Sequence, residues 1–207
     1  MNHLVRFNEE VNIFKESYIH FLCQKYRIKN YIIAKDGYVN ILGGINLAEF
    51  RFNKIPIRFG RITSHFYCRH CGLKSLENSP RRIDGNFSAS FNFITSLEGF
   101  PQHVGMDINL IYNPIKNVKG FPEFFEYTDD STFILSDTAP IVEILSLFKI
   151  KNNDFGNTKS LVRIFNMLNE YDVIQGDNVI LDRLEMSLDQ LGIEVPNNIE
   201  LKNYKLI

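Results

Sequence analysis

Residues 96–105 read SLEGFPQHVG, and residues 75–84 read SLENSPRRID, a closely similar phrase that begins 21 residues earlier. An internal repeat of this kind decides the fold, because a unit of this size cannot bury its own apolar side and must stack on its neighbours. At the same offset of 21 residues, apolar positions align along three copies. The aligned sets are Phe66, Phe87 and Ile108; Cys68, Ala89 and Leu110; Leu73, Ile94 and Ile115; Leu76, Leu97 and Val118; Pro80, Pro101 and Pro122; and Ile83, Val104 and Phe125.

The repeat extends beyond these three copies in both directions. A degenerate copy precedes them, with Ile45, Leu47, Phe52, Ile55 and Ile62 in the same classes. After the third copy the offset lengthens to about 25 residues, where Leu135, Pro140, Ile141 and Ile144 align, so an insertion lies near the sequence YTDDS. We therefore predict about four and a half units over residues 36–146.

Each unit combines a strand pattern with a short turn pattern. Ile62, Ser64, Phe66 and Cys68 alternate with Thr63, His65, Tyr67 and Arg69, and this period of two predicts one strand with a buried face. The next copy predicts Ile83, Gly85, Phe87 and Ala89 inward, and Asp84, Asn86, Ser88 and Ser90 outward. A proline-terminated turn follows each strand. Asn92 and Asn113 occupy equivalent corners, where we expect their amides to bond the turning backbone, while Phe50 and Cys71 hold that corner in earlier copies.

The two ends of the array carry helical patterns, as an open solenoid requires caps over its terminal units. An amphipathic helix over residues 9–25 is predicted to cover the first strand with Val11, Phe14, Tyr18, Phe21 and Leu22. Near the C-terminus, Leu161, Ile164, Phe165 and Leu168 predict a second helix, and Leu181, Leu184, Leu188 and Leu191 a third, before a last strand within IELKNYKLI. The predicted division is therefore residues 1–35, 36–146 and 147–207, and the fold class is α+β, rich in β-structure.

The pattern F-x-C-x-x-x-x-L-x-S-L-E-x-x-P-x-x-I-x-G resembles the leucine-rich-repeat-like proteins encoded by large tailed bacteriophages. Its residues here are Phe66, Cys68, Leu73, Ser75, Leu76, Glu77, Pro80, Ile83 and Gly85. The resemblance covers about residues 24–207 and includes the C-terminal helical module. It implies a short solenoid of about 21-residue units, a phage origin and the cytoplasm of a bacterial host, without an assigned reaction.

Composition narrows the classes of partner. The 207 residues carry a net charge of −1, which provides no overall field for nucleic acid or an anionic membrane. No apolar stretch reaches the length of a membrane span, and three cysteines without a disulfide framework fit a reducing compartment. A modest basic cluster of Arg61, Arg69, Arg81 and Arg82 lacks the aromatic pattern of known nucleic-acid modules. We expect a cytoplasmic protein without a cofactor or a membrane partner.

The sequence HFYCRHC, residues 65–71, contains the residue types that bind zinc or supply a nucleophilic thiolate. The repeat register argues against both roles. Cys68 belongs to an inward class and His65 to the opposite face of the strand, so one metal ion cannot bind both. Adjacent side chains such as His70 and Cys71 diverge on an extended chain, so we predict no metal site and no catalytic residue.

The outward face of the stacked strands is the remaining candidate site, because it mixes large aromatic and polar side chains as interface anchors do. Its predicted protein-binding residues are His65, Tyr67, Arg69, Phe91, Asn109, Ile111 and Tyr112. The primary hypothesis is a non-enzymatic repeat protein that binds a bacterial host protein, such as a defence or transcription protein, by analogy with small phage accessory proteins. The alternative is a nucleic-acid binder or enzyme whose site lies in the C-terminal helices around Asp177, Asp182 and Glu185. The oligomeric state is left open.

Overall fold

The computed structural model of the protein describes residues 15–128, 131–148 and 158–207. Val11 and Phe14 of the predicted first helix lie outside these residues. The helices are α1 (15–25), α2 (Ile141–Leu147), α3 (Thr158–Glu170) and α4 (Leu181–Asp189). The strands are β1 (Tyr31–Ile33), β2 (Val39–Ile41), β3 (Ile45–Asn46), β4 (Phe59–Ile62), β5 (Phe66–Tyr67), β6 (Arg82–Ile83), β7 (Phe87–Ser88), β8 (His103–Val104), β9 (Ile108–Asn109), β10 (Phe133–Ile134), β11 (Ile174–Gln175), β12 (Asn178–Val179) and β13 (Lys205–Leu206).

The repeats form a β-solenoid of about four turns, which confirms the predicted solenoid architecture and the mixed α+β class. Strands β3, β5, β7, β9 and β10 form one parallel sheet, the front sheet. Strands β2, β4, β6 and β8 form a second parallel sheet, the back sheet, which β1 extends in the antiparallel direction. One pass through both sheets is a rung.

The prediction of one strand per unit is wrong, because each unit contributes two short strands. In the second rung the chain bends between Ile62 and Phe66, and Ser64, predicted inward, is only half-buried at this bend. The alternation of apolar and polar residues continues across the bend, so a period of two cannot reveal the break. Ser90, predicted outward, is buried, and its hydroxyl lies 3.3 Å from that of Ser88.

The core lies between the two sheets and consists of the predicted apolar classes. Ile62, Phe66 and Cys68 are fully buried, as are their equivalents in the next rungs. Stacked rings connect successive rungs, with centroids 6.2 Å apart for Phe66 and Phe87. Because neighbouring rungs share one apolar interior, each rung depends on the next for burial.

The phrases SLENSP and SLEGFP form the turn that leads back to the back sheet. Asn78, Gly99 and Gly120 occupy equivalent positions there with φ of 69°, 82° and 82°, the left-handed region that glycine and asparagine tolerate best. A Cβ atom on Gly99 would lie 2.5 Å from the carbonyl oxygen of Leu76 in the preceding rung. The repeated turn therefore requires a residue that fits both the backbone conformation and the close approach of rungs.

The predicted asparagine corner is confirmed. Oδ1 of Asn92 accepts hydrogen bonds from the backbone N–H groups of Cys71 and Leu73, both at 3.0 Å. Its Nδ2 donates to the carbonyl oxygens of Cys68 and Ala89, both at 2.9 Å. Asn113 repeats the arrangement one rung later, accepting from the Ile94 N–H at 3.1 Å. Both amides are buried and satisfy backbone groups that the turn leaves without a strand partner.

At the N-terminal end of the solenoid, α1 packs Leu22 and Cys23 against the core. The prediction for Tyr18 and Phe21 is wrong: they are 62% and 56% exposed. Their rings stack on each other, 6.3 Å apart. The apolar stripe is wider than the buried face of the helix, because the small first rung offers a limited surface to cover.

At the C-terminal end, α3 inserts Phe165 against Phe121 and Phe133, with ring centroids 5.1 and 5.5 Å apart. The Tyr204 hydroxyl donates to the Lys116 carbonyl oxygen, and the Glu143 carboxylate accepts from the backbone N–H of Lys202 at 2.9 Å. The helical module is thus fastened to the last rungs by both apolar and polar contacts. None of the helices in the described part of the chain combines the length and apolar character of a membrane span.

Candidate protein-binding face

The outward side of the front sheet carries columns of equivalent side chains, one from each rung. Strand register places Asn46, Tyr67, Ser88, Asn109 and Ile134 in one column. The column before it contains His65, Asn86, Asp107 and Thr132. Parallel pairing in register aligns such side chains about 4.8 Å apart, so they form one continuous surface.

The second of these columns is fixed by bonds from side chain to backbone. Nδ1 of His65 accepts from the N–H of Asn86 at 2.9 Å. Oδ1 of Asn86 accepts from the N–H of Asp107 at 3.1 Å, and Oδ1 of Asp107 accepts from the N–H of Thr132 at 3.2 Å. A backbone N–H can only donate, so His65 is unprotonated at Nδ1 and carries its hydrogen on Nε2. The His65 ring also stacks on Tyr67, with centroids 5.7 Å apart.

A shallow groove of about 590 Å³ runs along this face. Its lining combines amides, one hydroxyl, charged groups and a few apolar surfaces. The lining residues are Asn46, Ala48, Glu49, Tyr67, Arg69, His70, Asn86, Phe87, Ser88, Asp107, Asn109 and Ile134. A groove that extends over all five strands suits an elongated ligand better than a compact one.

At the corner after the front sheet, successive rungs place a residue in the left-handed region. Glu49, His70, Phe91 and Tyr112 have φ of 69°, 60°, 57° and 57°. We call these four residues the left-handed ladder. For bulky side chains this conformation is an outlier, and the turn at Asn78, Gly99 and Gly120 uses only asparagine and glycine for it. The same chain thus places large side chains at one corner and small or permissive residues at the other.

The rings of the ladder contact one another. The centroids of His70 and Phe91 are 5.4 Å apart, and those of Phe91 and Tyr112 are 4.4 Å apart. The Arg69 guanidinium carbon lies 4.6 Å from the Phe91 ring centroid, a cation–π distance. Tyr112 is 56% exposed, so the stack presents an aromatic surface to solvent beside the groove.

The structure gathers all seven residues predicted for protein binding on this face or its corner. Tyr67, Arg69 and Asn109 line the groove, and Phe91 and Tyr112 belong to the ladder. His65 stacks on Tyr67, and half-buried Ile111 donates its N–H to Asn109 Oδ1 at 3.1 Å. Their role in binding stays a prediction.

Sequence reasoning missed the groove residues of the first and last rungs, Asn46, Ala48, Glu49 and Ile134. The signal was present in the repeat alignment. The backward offset of 21 residues places Asn46 on Tyr67, and the lengthened offset of 25 residues places Ile134 on Asn109. The degenerate copies had been assigned only to packing.

The cysteines of HFYCRHC are buried in the core. The Cys71 thiol donates to the Leu47 carbonyl oxygen at 3.0 Å. Burial raises the pKa of Cys71 to about 11, although a backbone hydrogen bond from Glu49 and the charge of Arg51 oppose it. Burial also raises the pKa of Cys68 well above its usual range, with a further contribution from Cys71. Both groups are therefore neutral thiols near pH 7. Among the described residues, no three His, Cys, Asp or Glu side chains are grouped to hold a metal ion.

The predicted basic cluster is divided between the two sheets. Arg61 and Arg82 lie on the back sheet and bind Asp84 at 2.7 and 2.9 Å, and Arg82 also contacts Glu126 at 3.1 Å. Burial alone would raise the pKa of Asp84, but the hydrogen bonds and charges of the two arginines outweigh burial and lower it. Arg69 lies on the front side. These arginines therefore do not form one nucleic-acid surface.

The acidic residues considered for a C-terminal site have separate surroundings. Asp177 forms an ion pair with Lys116 at 2.6 Å. Asp182 is exposed in the first turn of α4, and Glu185 is half-buried one turn later. Asp177 thus contributes to docking the module on the solenoid.

Comparison of the chain with protein-family models, curated proteins and solved structures gives no match. What the face can bind is therefore inferred from its own side chains. Their geometry favours recognition of a macromolecular surface, because the groove is open, shallow and lined by groups from every rung.

Proposed function

We propose that the protein is a non-enzymatic, leucine-rich-repeat-type solenoid that binds another protein with its front face. One observation carries this proposal: the left-handed ladder holds His70, Phe91 and Tyr112 in a backbone conformation that disfavours such side chains. Non-glycine residues in this region cost about 1–2 kcal/mol each. Strain of this size tends to persist where the side chain itself has a use.

The chain supplies its own comparison for this argument. At Asn78, Gly99 and Gly120 only the turn is needed, and the residues are those that adopt it most readily. Stacking between the ladder rings returns about 0.5–1.5 kcal/mol per pair, which offsets part of the strain. It does not explain why the rings are exposed, since Tyr112 keeps 56% of its surface in solvent.

The composition of the face supports a protein partner. Tyr67, Phe91, Tyr112 and Arg69 are of the types that dominate protein interfaces, where tyrosine and arginine are frequent anchors. The ladder and the groove adjoin through Arg69 and His70, so one partner could contact both. A groove with ordered polar groups and an aromatic edge favours binding without a chemical step.

The leucine-rich-repeat assignment is supported by the pattern L-x-L-x-x-N/C-x-L, which is typical of that class. Residues 66–73, 87–94 and 108–115 match it with Cys71, Asn92 and Asn113 at the corner position. The resemblance to phage proteins suggests a bacterial host protein as the partner, with modulation or inhibition as the consequence of binding.

The direct test is capture of proteins from a bacterial lysate by the immobilised full chain, followed by mass spectrometry. The double variant Phe91→Gly/Tyr112→Gly removes both rings and relieves the strain, so its melting temperature should stay close to that of the wild type. We expect the captured protein to be lost from this variant. The matched control is Phe124→Ala, because Phe124 is 82% exposed and precedes the back-sheet bridge of His103 and Glu126.

The control variant should capture the same protein as the wild type. Equal capture by the wild type and the Phe91→Gly/Tyr112→Gly variant would show that the ladder is not the binding surface. Loss of capture in both variants would point to a general effect on the surface and would also contradict the proposal.

A further inference from the structure

We infer that the partner presents an extended acidic segment to this face, with an apolar side chain on the ladder and a carboxylate at Arg69. This inference rests on the proposed function and specifies the chemistry of the ligand. It follows from the hydrogen-bonding groups that the front face leaves available.

The amides of the face expose donors because their oxygens are already used. Oδ1 of Asn46 accepts from the N–H of Ala48 at 2.9 Å, and Oδ1 of Asn109 accepts from the N–H of Ile111 at 3.1 Å. Oδ1 of Asn86 accepts from the next rung in the same way. Since a backbone N–H only donates, these bonds fix the orientation of all three amides. No described residue accepts a bond from their NH₂ groups, which are therefore available to a ligand.

Two further groups make the face rich in donors. His65 carries its hydrogen on Nε2, because Nδ1 accepts a backbone bond. The Arg69 guanidinium lies over Phe91 and forms no ion pair with a carboxylate of the described residues, unlike Arg61 and Arg82 on the back sheet. A guanidinium can donate two parallel bonds to one carboxylate, so Arg69 is the group best suited to an acidic side chain.

The acidic groups of the face limit where a ligand carboxylate can lie. Asp107 accepts from both the N–H and the hydroxyl of Thr132, at 3.2 and 2.6 Å, which compensates much of its charge. Glu49 lies at the first rung and would repel a carboxylate there. The ligand carboxylate is thus expected between Arg69 and Phe91, and the ligand's apolar side chain against Phe91 and Tyr112.

Length favours an extended ligand. Five strands spaced about 4.8 Å apart span about 19 Å, which corresponds to about six residues of extended chain. The backbone carbonyls of such a segment would accept from the three amide groups, and its acidic side chain from Arg69. An extended segment thereby satisfies the donors of several rungs at once.

The test uses fluorescence anisotropy with three labelled peptides of about six residues. Each peptide has a central Leu-Tyr pair flanked by glutamate in the first, glutamine in the second and lysine in the third. We expect the glutamate peptide to bind the full chain about 10-fold more tightly than the glutamine peptide at low ionic strength. This preference should shrink at high ionic strength because the paired charges are screened.

The variant Arg69→Gln should remove the preference for glutamate over glutamine, while Arg58→Gln, an equal charge change at an exposed position before the back sheet, should retain it. Equal binding of the glutamate and glutamine peptides, tighter binding of the lysine peptide, or no binding by any peptide would overturn the inference. If lysate capture still depends on Phe91 and Tyr112 in that case, the protein-binding function stands without its acidic ligand. If capture is independent of them, the proposed function itself fails.

Discussion

The thiol of Cys71 donates a hydrogen bond to the carbonyl oxygen of Leu47, one rung earlier, at 3.0 Å. In the following rungs, Nδ2 of Asn92 and Asn113 donate to the equivalent carbonyl oxygens of Cys68 and Ala89, both at 2.9 Å. Cysteine therefore takes the donor role of asparagine at this corner but lacks the strong amide acceptor. The corner is a ladder of buried donors whose energetic weight depends on the number of bonds per rung.

The first prediction concerns this ladder. Asn92→Ala removes bonds to two backbone N–H groups and to three carbonyl oxygens, all within the core. Since each buried group left without a partner costs about 1–3 kcal/mol, we expect a loss of about 3 kcal/mol or more in the free energy of unfolding. Asn113→Ala should cost less, because Asn113 makes three such bonds. Urea denaturation measures both, with exposed Asn198→Ala as the control; equal stability of Asn92→Ala and wild type would contradict the prediction.

The second prediction concerns the turn between rungs. Gly99→Ala places a Cβ 2.5 Å from the Leu76 carbonyl oxygen at a φ of 82°, so both the clash and the backbone conformation oppose it. We expect a loss of about 1–3 kcal/mol. Asn78→Gly, at the equivalent position, should leave stability within about 1 kcal/mol of the wild type. Thermal denaturation of the two variants decides the matter, and a neutral Gly99→Ala would show that rungs approach less closely.

The third prediction tests the left-handed ladder in solution. At position 112, with φ of 57°, Tyr112→Gly should be more stable than Tyr112→Ala by about 1 kcal/mol, because alanine retains the backbone strain. In β5 the order should reverse, with Tyr67→Ala more stable than Tyr67→Gly, because a strand favours alanine over glycine. Chemical denaturation of the four variants gives the two differences. The same order at both positions would refute the left-handed assignment.

The fourth prediction is a dependence of stability on pH. The arginine neighbours lower the pKa of Asp84 in the folded protein, so the carboxylate stabilises the fold above the unfolded pKa of about 3.9. This contribution is lost as the pH falls through the lower folded pKa. Asp84→Asn should therefore cost about 1 kcal/mol or less at pH 7, and the difference from wild type should disappear in acid. Denaturation curves across the acid range test this, and a difference that persists at the lowest pH would contradict it.

The fifth prediction concerns thiol reactivity. Cys23, Cys68 and Cys71 are all fully buried, and burial raises the pKa of Cys23 to about 11 despite a hydrogen bond with Tyr31. A thiol reagent near pH 8 should therefore react slowly with the native protein and rapidly in denaturant. Mass spectrometry of the labelled sites gives the rates, and rapid native labelling of any of the three would show that the core opens locally.

The repeat alignment predicted the apolar classes and the asparagine corner because both depend on residue type at a fixed offset. It did not predict two strands per rung, since Ile62 and Phe66 keep the same alternation whether or not the chain bends between them. Tyr18 and Phe21 were expected to be buried because they lie on an apolar stripe. The stripe cannot indicate how much surface the neighbouring rung offers.

For the candidate face, the sequence identified Tyr67, Phe91 and Tyr112 as large residues that break the repeat pattern. It could not assign the left-handed backbone of Phe91 and Tyr112, because nothing in their identity predicts a positive φ. The donor-rich character of the groove was also hidden. It depends on which side-chain oxygens accept bonds from neighbouring backbone groups.

By itself, the sequence determined that this chain stacks units of about 21 residues around a shared apolar core, because a repeated apolar pattern can be buried only by its own neighbours. Only the tertiary structure decided how the outward residues combine. Asn46, Arg69 and Ile134 are far apart in the chain and line one groove because parallel register aligns their rungs. Register is a property of the stacked chain, and it turns separate polar positions into one surface.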